Sequence, residues 1–271
     1  AAQSAEVLGR WFKIKIYDFH IMYFCIPSLS RFNTINGHTI DFLIRNGVKY
    51  TDIYVFVIAG EYEEYRVILN HNINVVLTTR GIRNARASIS NHFGKNAEII
   101  TLDDDIRNVK MLDYNRLKPV ENFLSLCESS FDIMKSKNIS MCGFYPIDNP
   151  FFMKNSISYG LKFCVGALRL FINNPEIENS RGYKLLEDYE TTVKYYIQDG
   201  AVMRYENICV IHNFGTQQGG LNETCERGYN AKYSEVMRFM NEYGKYCNKA
   251  NDRLTQKGRK IDLRLKNLGI V

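Results

Sequence analysis

The sequence predicts an α/β fold in which a mixed, mainly parallel central sheet is flanked by helices. Over about the first 105 residues, apolar strand-like runs alternate with helical ones in the order β-α-β-α-β-α-β. Each unit has the size expected for parallel strands joined by short connections. The fourth strand-like run, Ala97 to Leu102, leads directly into three consecutive aspartates. The fold class and this acidic cluster are the starting points for a functional interpretation.

Each of the first three predicted strands is followed by a polar turn. The strand Tyr17 to Ile26 leads into IPSLSR, where Pro27 is expected to end the ladder because proline has no N–H to donate. The strand Asp52 to Ile58 leads into AGEYEEY, whose glutamates suit the positive N-terminus of a helix. The strand Ile73 to Leu77 leads into TTRGIRNAR, the start of a helix that Gly94 ends.

The acidic cluster predicts a metal site. Three carboxylates at the carboxyl end of a strand would repel one another unless a cation lay between them. In an open α/β sheet these strand ends line the ligand crevice. Asp103 and Asp105 are therefore candidate ligands of Mn²⁺ or Mg²⁺, which prefer oxygen ligands and complete their coordination with water and substrate phosphate. The alternative is a solvated acidic turn.

Three arginines, Arg80, Arg83 and Arg86, surround the predicted N-terminus of the third helix. Cations are poorly placed there unless an anion such as a diphosphate shares the site. The alternative is that the arginines face solvent. No Gly-x-Gly-x-x-Gly follows the first strand and no P-loop pattern occurs, which argues against a dinucleotide enzyme and a P-loop NTPase.

In their order and spacing, IPSLSR, AGEYEEY, TTRGIRNAR and LDDDI resemble the nucleotide-sugar half of GT-A glycosyltransferases. Within that superfamily the chain is most similar to the TET-associated or base J DNA glucosyltransferase type. The resemblance covers residues 20 to 108 and is looser beyond. It implies a GT-A fold, a nucleotide-sugar donor, and Asp103 and Asp105 as the ends of an Asp-x-Asp signature that holds Mn²⁺ or Mg²⁺.

The resemblance also implies a donor pocket. The loop after the first strand would border the nucleotide, and the turn after the second strand would approach the base or ribose. The arginine-rich turn would line the pocket, while Asp104 would face the donor sugar or ribose. The residues concerned are Pro27, Ser28, Arg31, Glu61, Arg80, Gly81, Arg83, Arg86 and Asp104.

The second half of the chain supplies candidates for the acceptor side. Val120 to Lys135 predicts a helix, Met141 to Tyr145 a strand, and Lys162 to Leu170 a further strand. Glu187 and Asp188 open a later helix and match the carboxylate pair of inverting GT-A enzymes, in which a carboxylate lies beneath the acceptor hydroxyl. Their alternative role is ordinary capping of that helix.

The strand Ala201 to Ile211 precedes His212. Many GT-A enzymes bring a histidine from their C-terminal part to the metal, so His212 is the third candidate ligand. The alternative is a satisfied core or surface histidine. Gly219 and Gly220 indicate a loop whose backbone approaches another group closely, because glycine lacks a side chain. The group expected there is the acceptor.

The end of the chain is basic. Tyr229 to Leu254 predicts a mostly polar helix, and a tail rich in lysine and arginine follows it. Such a tail is either simply solvated or a strip that contacts nucleic-acid phosphates. The residues proposed for phosphate contact are Arg259, Lys260, Arg264 and Lys266.

The chain is interpreted as one domain with appended ends. Residues 1–12 are expected to be a tag or a disordered start, 13–110 the nucleotide-sugar-binding half, 111–228 the acceptor-side half of the same domain, and 229–271 a C-terminal helix and basic tail. An apolar content of 45% with 5 prolines indicates a compact globule. Seven scattered cysteines and the lack of an apolar run near the ~20 residues that span a bilayer predict a soluble, intracellular protein without a membrane partner.

These observations predict a metal-dependent, inverting glycosyltransferase, with UDP-glucose as the first candidate donor. The predicted acceptor is 5-hydroxymethyl pyrimidine in DNA, single-stranded or flipped out of the stack. A net charge of +6 and a pI near 8.8 favour an anionic partner. The alternatives are a GT-A enzyme with a glycan or protein acceptor, and a nucleotide- or nucleic-acid-binding module without catalysis.

Overall fold

The computed structural model describes residues 21–212, 229–248, 250–255 and 258–271. The strands are β1 (Met22–Pro27), β2 (Ile53–Ile58), β3 (Asn74–Thr78), β4 (Glu98–Leu102), β5 (Ile106–Asp113), β6 (Arg116–Pro119), β7 (Met141–Tyr145), β8 (Ile157–Gly160), β9 (Leu168–Ile172), β10 (Val202–His212), β11 (Asn251–Thr255) and β12 (Gly258–Asp262). The helices are α1 (Asp41–Arg45), α2 (Tyr62–Ile68), α3 (Ile82–Phe93), α4 (Phe123–Ser136), α5 (Pro175–Asn179), α6 (Glu187–Asp199) and α7 (Tyr229–Tyr243). A short π-helical turn, Asn36–Ile40, precedes α1.

One sheet organises the described part of the chain, in the order β3-β2-β1-β4-β9-β7-β10-β5-β6, with β8 also paired to β10. β1 is parallel to β2 and β4, β2 is parallel to β3, and β10 is parallel to β7. β9 is antiparallel to both β4 and β7, so β4 and β7 run in the same direction. The carboxyl ends of β1 to β4, β7 and β10 therefore meet at one edge, as the predicted α/β fold requires.

Helices cover both faces of the sheet. On one face, Phe42 of α1 and Phe131 of α4 are buried in the larger core cluster. On the other face, Ile89 of α3, Val193 of α6 and Phe239 of α7 form the second cluster. Each such side chain removed from water contributes about 1.5–3 kcal/mol. Because α3 and α6 lie on the same face, the residues at their N-terminal ends can meet.

The described structure departs from the predicted elements at three places. β1 continues through Pro27, which pairs with Phe56. The backbone N–H of Ser28, the next residue, donates to the Phe56 carbonyl at 3.0 Å. The strand predicted at Lys162 to Leu170 begins at Leu168, because the preceding residues form a loop against α6. The helix predicted over 229–254 ends at Tyr243.

The basic tail is also different from the prediction. β11 and β12 form an antiparallel pair, whereas an extended polar helix and a tail were expected. Ile261 of β12 and Leu263, just after it, are buried in the second core cluster, which fixes this segment to the rest of the fold. Segment 1–12, the first residues of the strand predicted from Tyr17, and the loop at Gly219 and Gly220 lie outside the described residues.

All six cysteines in the described residues are buried free thiols. Burial raises the pKa of the Cys164 thiol to about 12. Among the described residues, no helix has the length and apolar character needed to cross a bilayer.

Candidate active site

The three aspartates lie in the turn between β4 and β5, and its backbone is fixed from both sides. The Asp103 N–H donates to the Ala167 carbonyl at 2.8 Å. The buried Thr39 hydroxyl donates to the Asp103 carbonyl at 2.7 Å and accepts from the Ile106 N–H at 2.9 Å. The position of the turn therefore does not depend on its acidic side chains.

Asp104 anchors the loop that follows β1. Its Oδ2 accepts from the Ser28 hydroxyl at 2.6 Å, and its Oδ1 accepts from Arg31 Nη1 at 2.6 Å. The Tyr65 hydroxyl lies 2.7 Å from Ser28 Oγ. Asp104 is 5% exposed and both of its carboxylate oxygens are engaged. Asp104 therefore holds Ser28 and Arg31 in place, and its predicted position facing the donor stays a prediction.

Asp105 has one carboxylate oxygen with no hydrogen-bond partner. Its Oδ2 lies 3.4 Å from Arg31 Nη1, whereas the buried Oδ1 has no donor. His212 Nδ1, at the end of β10, lies 4.0 Å from that Oδ1. The side chain of Asp103 is 37% exposed beside them. A buried oxygen without a donor is costly unless another group compensates it, and a cation would do so.

Asp103, Asp105 and His212 fit a divalent cation as a partial ligand set. Within the ranges that the structure describes, no three or more His, Cys, Asp or Glu side chains are arranged so that they could hold a metal ion by themselves, so water and substrate oxygens would have to complete this set. Mn²⁺ and Mg²⁺ sites in nucleotide enzymes use one or two carboxylates and take their other ligands from water and phosphate oxygens. The residues present match that donor set.

Glu61 stabilises the loop after β1 from the opposite side. Its carboxylate accepts from the Ser30 N–H and from the Ser30 hydroxyl, both at 2.8 Å. Ser30 has a φ of 57°, an uncommon conformation for a residue with a side chain. Pro27 is buried just before this loop, and Arg31 lies at its end. The loop residues predicted to border a nucleotide are thus brought to the same edge as the aspartates.

The three arginines near the start of α3 have different surroundings. Arg80 is exposed, and its carbonyl accepts from the Asn84 side chain at 2.9 Å. Gly81 caps α3 with a φ of 110°, which favours glycine. Arg83 is half-buried and makes no hydrogen bond or ion pair with the described residues. Arg86 is buried. Arg83 is therefore the arginine of this group best placed to receive an anion.

Arg86 connects α3 to α6 and to the aspartate turn. Its Nη1 lies 2.5 Å from Glu187 Oε1, and its Nη2 donates to the Gly166 carbonyl at 3.0 Å. The same Nη2 is 3.9 Å from Asp103 Oδ1. The Arg86 side chain is 4% exposed, and its place in the donor pocket stays a prediction.

The Glu187 and Asp188 pair opens α6, and its two members are in different states. Burial alone would raise the pKa of Glu187, but the guanidinium groups of Arg86, Arg181 and Arg169 outweigh it and hold that pKa below its usual value. Burial and the charge of Glu187 raise the pKa of Asp188 to about 6. The N-cap of α6 is the apolar residue Leu186, so neither carboxylate occupies the capping position.

A chain of buried charges continues from Glu187 back to β4. Arg181 Nη1 lies 3.4 Å from Glu187 Oε2, and Arg181 also contacts Glu178. Arg169 Nη2 lies 3.6 Å from Glu178 Oε2, and Arg169 Nε donates to the Thr101 hydroxyl at 3.3 Å. Thr101 is in β4, the strand that carries the aspartates. A series of buried ion pairs and hydrogen bonds therefore connects the start of α6 to the strand that leads into the acidic turn.

Sequence reasoning missed Thr39, Tyr65, Gly166 and Arg181. Thr39 and Tyr65 are single polar residues in helical patterns, and nothing local marks them as partners of a distant turn. Gly166 follows Cys164 and Val165 in a segment interpreted as a strand. An isolated glycine inside a strand pattern indicates close backbone approach, which is what Arg86 makes here.

The four basic residues of the C-terminal segment are not equivalent. Arg259 Nη2 lies 2.8 Å from Asp252 Oδ2, and Lys266 Nζ donates to the Lys245 carbonyl at 3.0 Å. Lys260 and Arg264 are exposed. Two of the four predicted phosphate contacts thus already have acceptors within the protein.

Comparison with known proteins supports the fold. No family model and no curated protein matches the sequence. A mannosyltransferase from Pyrobaculum calidifontis, solved with GDP-mannose and Mn²⁺, is 13% identical with a TM-score of 0.51, over 80% of this chain and 64% of that chain. The fold is GT-A. This GT-A chain thus spans less than two thirds of the length of that mannosyltransferase.

A second GT-A structure matches over most of both chains. Glucosyl-3-phosphoglycerate synthase from Mycobacterium tuberculosis, solved with Mn²⁺, UDP and glucosyl-3-phosphoglycerate, is 10% identical with a TM-score of 0.50. The match covers 92% of this chain and 88% of that chain. The similarity to the DNA glucosyltransferase type stays a prediction from the sequence.

Proposed function

We propose that the protein is a metal-dependent, inverting glycosyltransferase that uses a nucleotide sugar. The observation that carries this proposal is the pairing of two carboxylate groups at one region of a GT-A fold. Asp105 presents a buried oxygen without a donor, and Asp188 has a pKa raised to about 6. The first suits a cation and the second suits a proton acceptor. The Mn²⁺ in two structures of the same fold, with GDP-mannose in one and UDP in the other, supports the assignment.

The donor side would be held by residues from four segments: the aspartate turn, the end of β10, the first turn of α3 and the loop after β1. Asp103, Asp105 and His212 would hold the divalent cation, which when bound offsets diphosphate charge and acts as a Lewis acid toward the leaving group. Arg83 is available on the first turn of α3 to share the charge that develops on the departing diphosphate. Arg31, which Asp104 fixes, adds positive charge from the loop after β1.

The acceptor side would depend on Asp188. In a single displacement, an acceptor hydroxyl oxygen attacks the anomeric carbon as the bond to the diphosphate oxygen breaks, and the configuration inverts. Asp188 would take the hydroxyl proton in that step, which requires an ionised carboxylate within hydrogen-bond reach. Glu187 is committed to Arg86 and Arg181, so it is not available for this role.

Donor hydrolysis tests the proposal. The protein with Mn²⁺ or Mg²⁺ would be incubated with UDP-glucose, UDP-N-acetylglucosamine and GDP-mannose, and free sugar would be measured. We expect slow, metal-dependent release from one of them, because water can replace the acceptor. A non-catalytic nucleotide-binding module would release no sugar from any donor, and that result would overturn the assignment.

For the finer specificity we propose UDP-glucose as donor and 5-hydroxymethyl pyrimidine in DNA as acceptor. The sequence resemblance and the net charge of +6 support DNA, as do the exposed Lys260 and Arg264. Transfer of radiolabelled glucose to single-stranded oligonucleotides with and without the hydroxymethyl group tests both parts. Transfer to a glycan or protein, with none to the modified oligonucleotide, would replace DNA as the acceptor.

A further inference from the structure

We propose that Arg86 is a positioning residue that fixes the Asp188 carboxylate relative to the metal-binding turn. This inference rests on the proposed function, because it concerns the same reaction. It assigns Arg86 a role different from direct contact with the donor diphosphate. The basis is the way in which this side chain, Gly166 and the carboxylate pair are packed together.

The polar atoms of Arg86 are directed at protein groups. Nη1 faces Glu187 Oε1 at 2.5 Å, and Nη2 faces the Gly166 carbonyl at 3.0 Å. Asp103 Oδ1 is more distant, at 3.9 Å. Burying a guanidinium group is costly unless negative charge or acceptors lie close to it. These three groups lie close to Nη1 and Nη2, although Nε and Nη1 have no partner with hydrogen-bond geometry among the described residues. A diphosphate would have to displace them to bind Arg86 directly.

Gly166 transmits the position of Arg86 to Asp188. Its carbonyl accepts from Arg86, and its backbone N–H interacts with the Asp188 carboxylate. The backbone N–H and carbonyl of Gly166 thus connect Asp188, the proposed base, to the Arg86 guanidinium. The Asp103 N–H donates to Ala167, the next residue, so the same loop also holds the aspartate turn.

Only glycine fits at position 166 in this arrangement. A Cβ there would lie 2.5 Å from Arg86 Nη2 and 2.8 Å from Nη1. Any larger residue would push the guanidinium away from Gly166 and Glu187, although it would contact neither a donor nor a metal ligand side chain. Gly166→Ala therefore perturbs Arg86 without altering its charge.

The experiment compares Arg86→Lys and Gly166→Ala with the parent. Lysine keeps the charge but cannot bridge two acceptors as the planar guanidinium does. Gly182→Ala is the matched control, since its Cβ would be 3.6 Å from Glu190 Oε1, an ordinary contact. For each variant we would measure metal-dependent affinity for the nucleoside diphosphate, the thermal unfolding midpoint, and kcat for hydrolysis of the donor that the parent uses.

Both Arg86→Lys and Gly166→Ala are expected to lower kcat by about 10- to 100-fold, the effect of a small displacement of a reacting group. Nucleoside diphosphate affinity should stay within about threefold of the parent, because the close contacts of Arg86 are with Glu187 and Gly166 and its contact with Asp103 is a distant one of 3.9 Å. The double variant should lose little more than either single one, since both changes break the same connection. Gly182→Ala should match the parent in all three measurements.

Other outcomes would overturn the inference in distinguishable ways. A loss of nucleoside diphosphate affinity with unchanged kcat in Arg86→Lys would make Arg86 a donor ligand. A fully active Gly166→Ala would show that the contact does not position the base. If a single variant failed to fold, the other would still decide between these results. An inactive parent with every donor would refute the proposed function itself.

Discussion

The site contains two carboxylate clusters, the aspartate turn and the Glu187 and Asp188 pair. In both clusters an arginine contacts one carboxylate closely, but the second carboxylate has different surroundings in each. In the aspartate turn, Arg31 and Ser28 occupy Asp104, and Asp105 keeps an oxygen without a donor. At the start of α6, Arg86 and Arg181 occupy Glu187, and Asp188 keeps a raised pKa. In each cluster one acidic residue holds the structure and its neighbour stays available for chemistry.

The difference lies in what surrounds the available carboxylate. Asp105 lies near His212 and the exposed Asp103, an arrangement of several ligands that a cation can complete. Asp188 is buried beside the negative Glu187, and both factors favour its protonated form, whereas Arg86 and two backbone N–H groups favour the ionised form more weakly. Residue type alone does not distinguish the two roles; the placement of the arginines does.

The largest expected effect is at Asp105. Asp105→Ala should abolish metal-dependent donor binding, because the oxygen without a donor is the proposed ligand. Isothermal titration of the parent and the variant with UDP and Mn²⁺ would measure this. Unchanged affinity with unchanged metal dependence would remove Asp105 from the metal site. Asp113→Ala, at the far end of β5, serves as the control.

Asp188→Asn is expected to lower kcat by about 10² to 10⁴, the usual contribution of a general base. Donor affinity should be nearly normal, and thermal stability at pH 7 should not fall. The last point follows because a carboxylate with a raised pKa is destabilising when ionised. Normal turnover in this variant would demote Asp188 to a structural residue of the first helical turn.

Unlike Asp188→Asn, Glu187→Gln should lower the stability of the protein at pH 7. Removing one partner of a buried ion pair costs about 3–5 kcal/mol, since Arg86 and Arg181 lose a counter-charge. Because the pKa of Glu187 is lowered in the fold, its ionised form stabilises the protein at neutral pH. That contribution should disappear as the pH falls through the folded-state pKa. Urea unfolding at pH 7 and pH 4 would test both statements; equal losses at the two pH values would contradict them.

The pH profile sharpens the assignment of the base. With the pKa of Asp188 at about 6, kcat should be constant above pH 7. Below pH 6 it should fall about tenfold per unit, because the protonated acid cannot accept a proton. The residual activity of Asp188→Asn should lack this limb. A parent profile without a limb near pH 6 would exclude Asp188 as the titrating group.

The smallest effect is expected in the C-terminal segment. If DNA binds there, the double variant Lys260→Ala, Arg264→Ala should weaken the salt dependence of oligonucleotide affinity. The slope of log affinity against log salt concentration should become less negative by about 0.7 per lost contact on single strands, or about 0.9 on duplex. Arg259→Ala should change the slope less, because Asp252 already neutralises that charge. Fluorescence titration over a range of salt concentrations measures these slopes. Absence of DNA binding by the parent at low salt would contradict the DNA proposal.

Much of the fold could be predicted because buried parallel strands appear in the sequence as continuous apolar runs separated by turns. β2, β4, β7 and α3 lie within about two residues of their predicted bounds. The strands that were missed include β11, β12, β5, β6 and β8, and several of them are short or exposed and carry polar residues such as Arg107, Lys110 and Arg116. Those strands form because neighbouring strands pair with them, and the local sequence pattern does not show such pairing.

The site could be predicted as a set of residues but not as a set of contacts. The sequence placed acidic and basic groups near strand ends, since strand polarity determines which turns meet. It did not indicate that Arg86 would reach Glu187, 101 positions later, and leave Arg83 open. Such pairings depend on how α3 and α6 pack on the same face of the sheet, which is a tertiary property.

The buried Cys164 thiol has an experimental consequence. Its backbone N–H donates to the Thr192 hydroxyl at 3.3 Å, and its side chain packs where a Cβ at Gly143 would collide. A thiol reagent can therefore reach it only when the loop before β9 detaches from α6. The rate of modification at Cys164, mapped by mass spectrometry, would report how often this loop opens. Comparing that rate with and without nucleotide would reveal whether donor binding stiffens the acceptor side before any acceptor arrives.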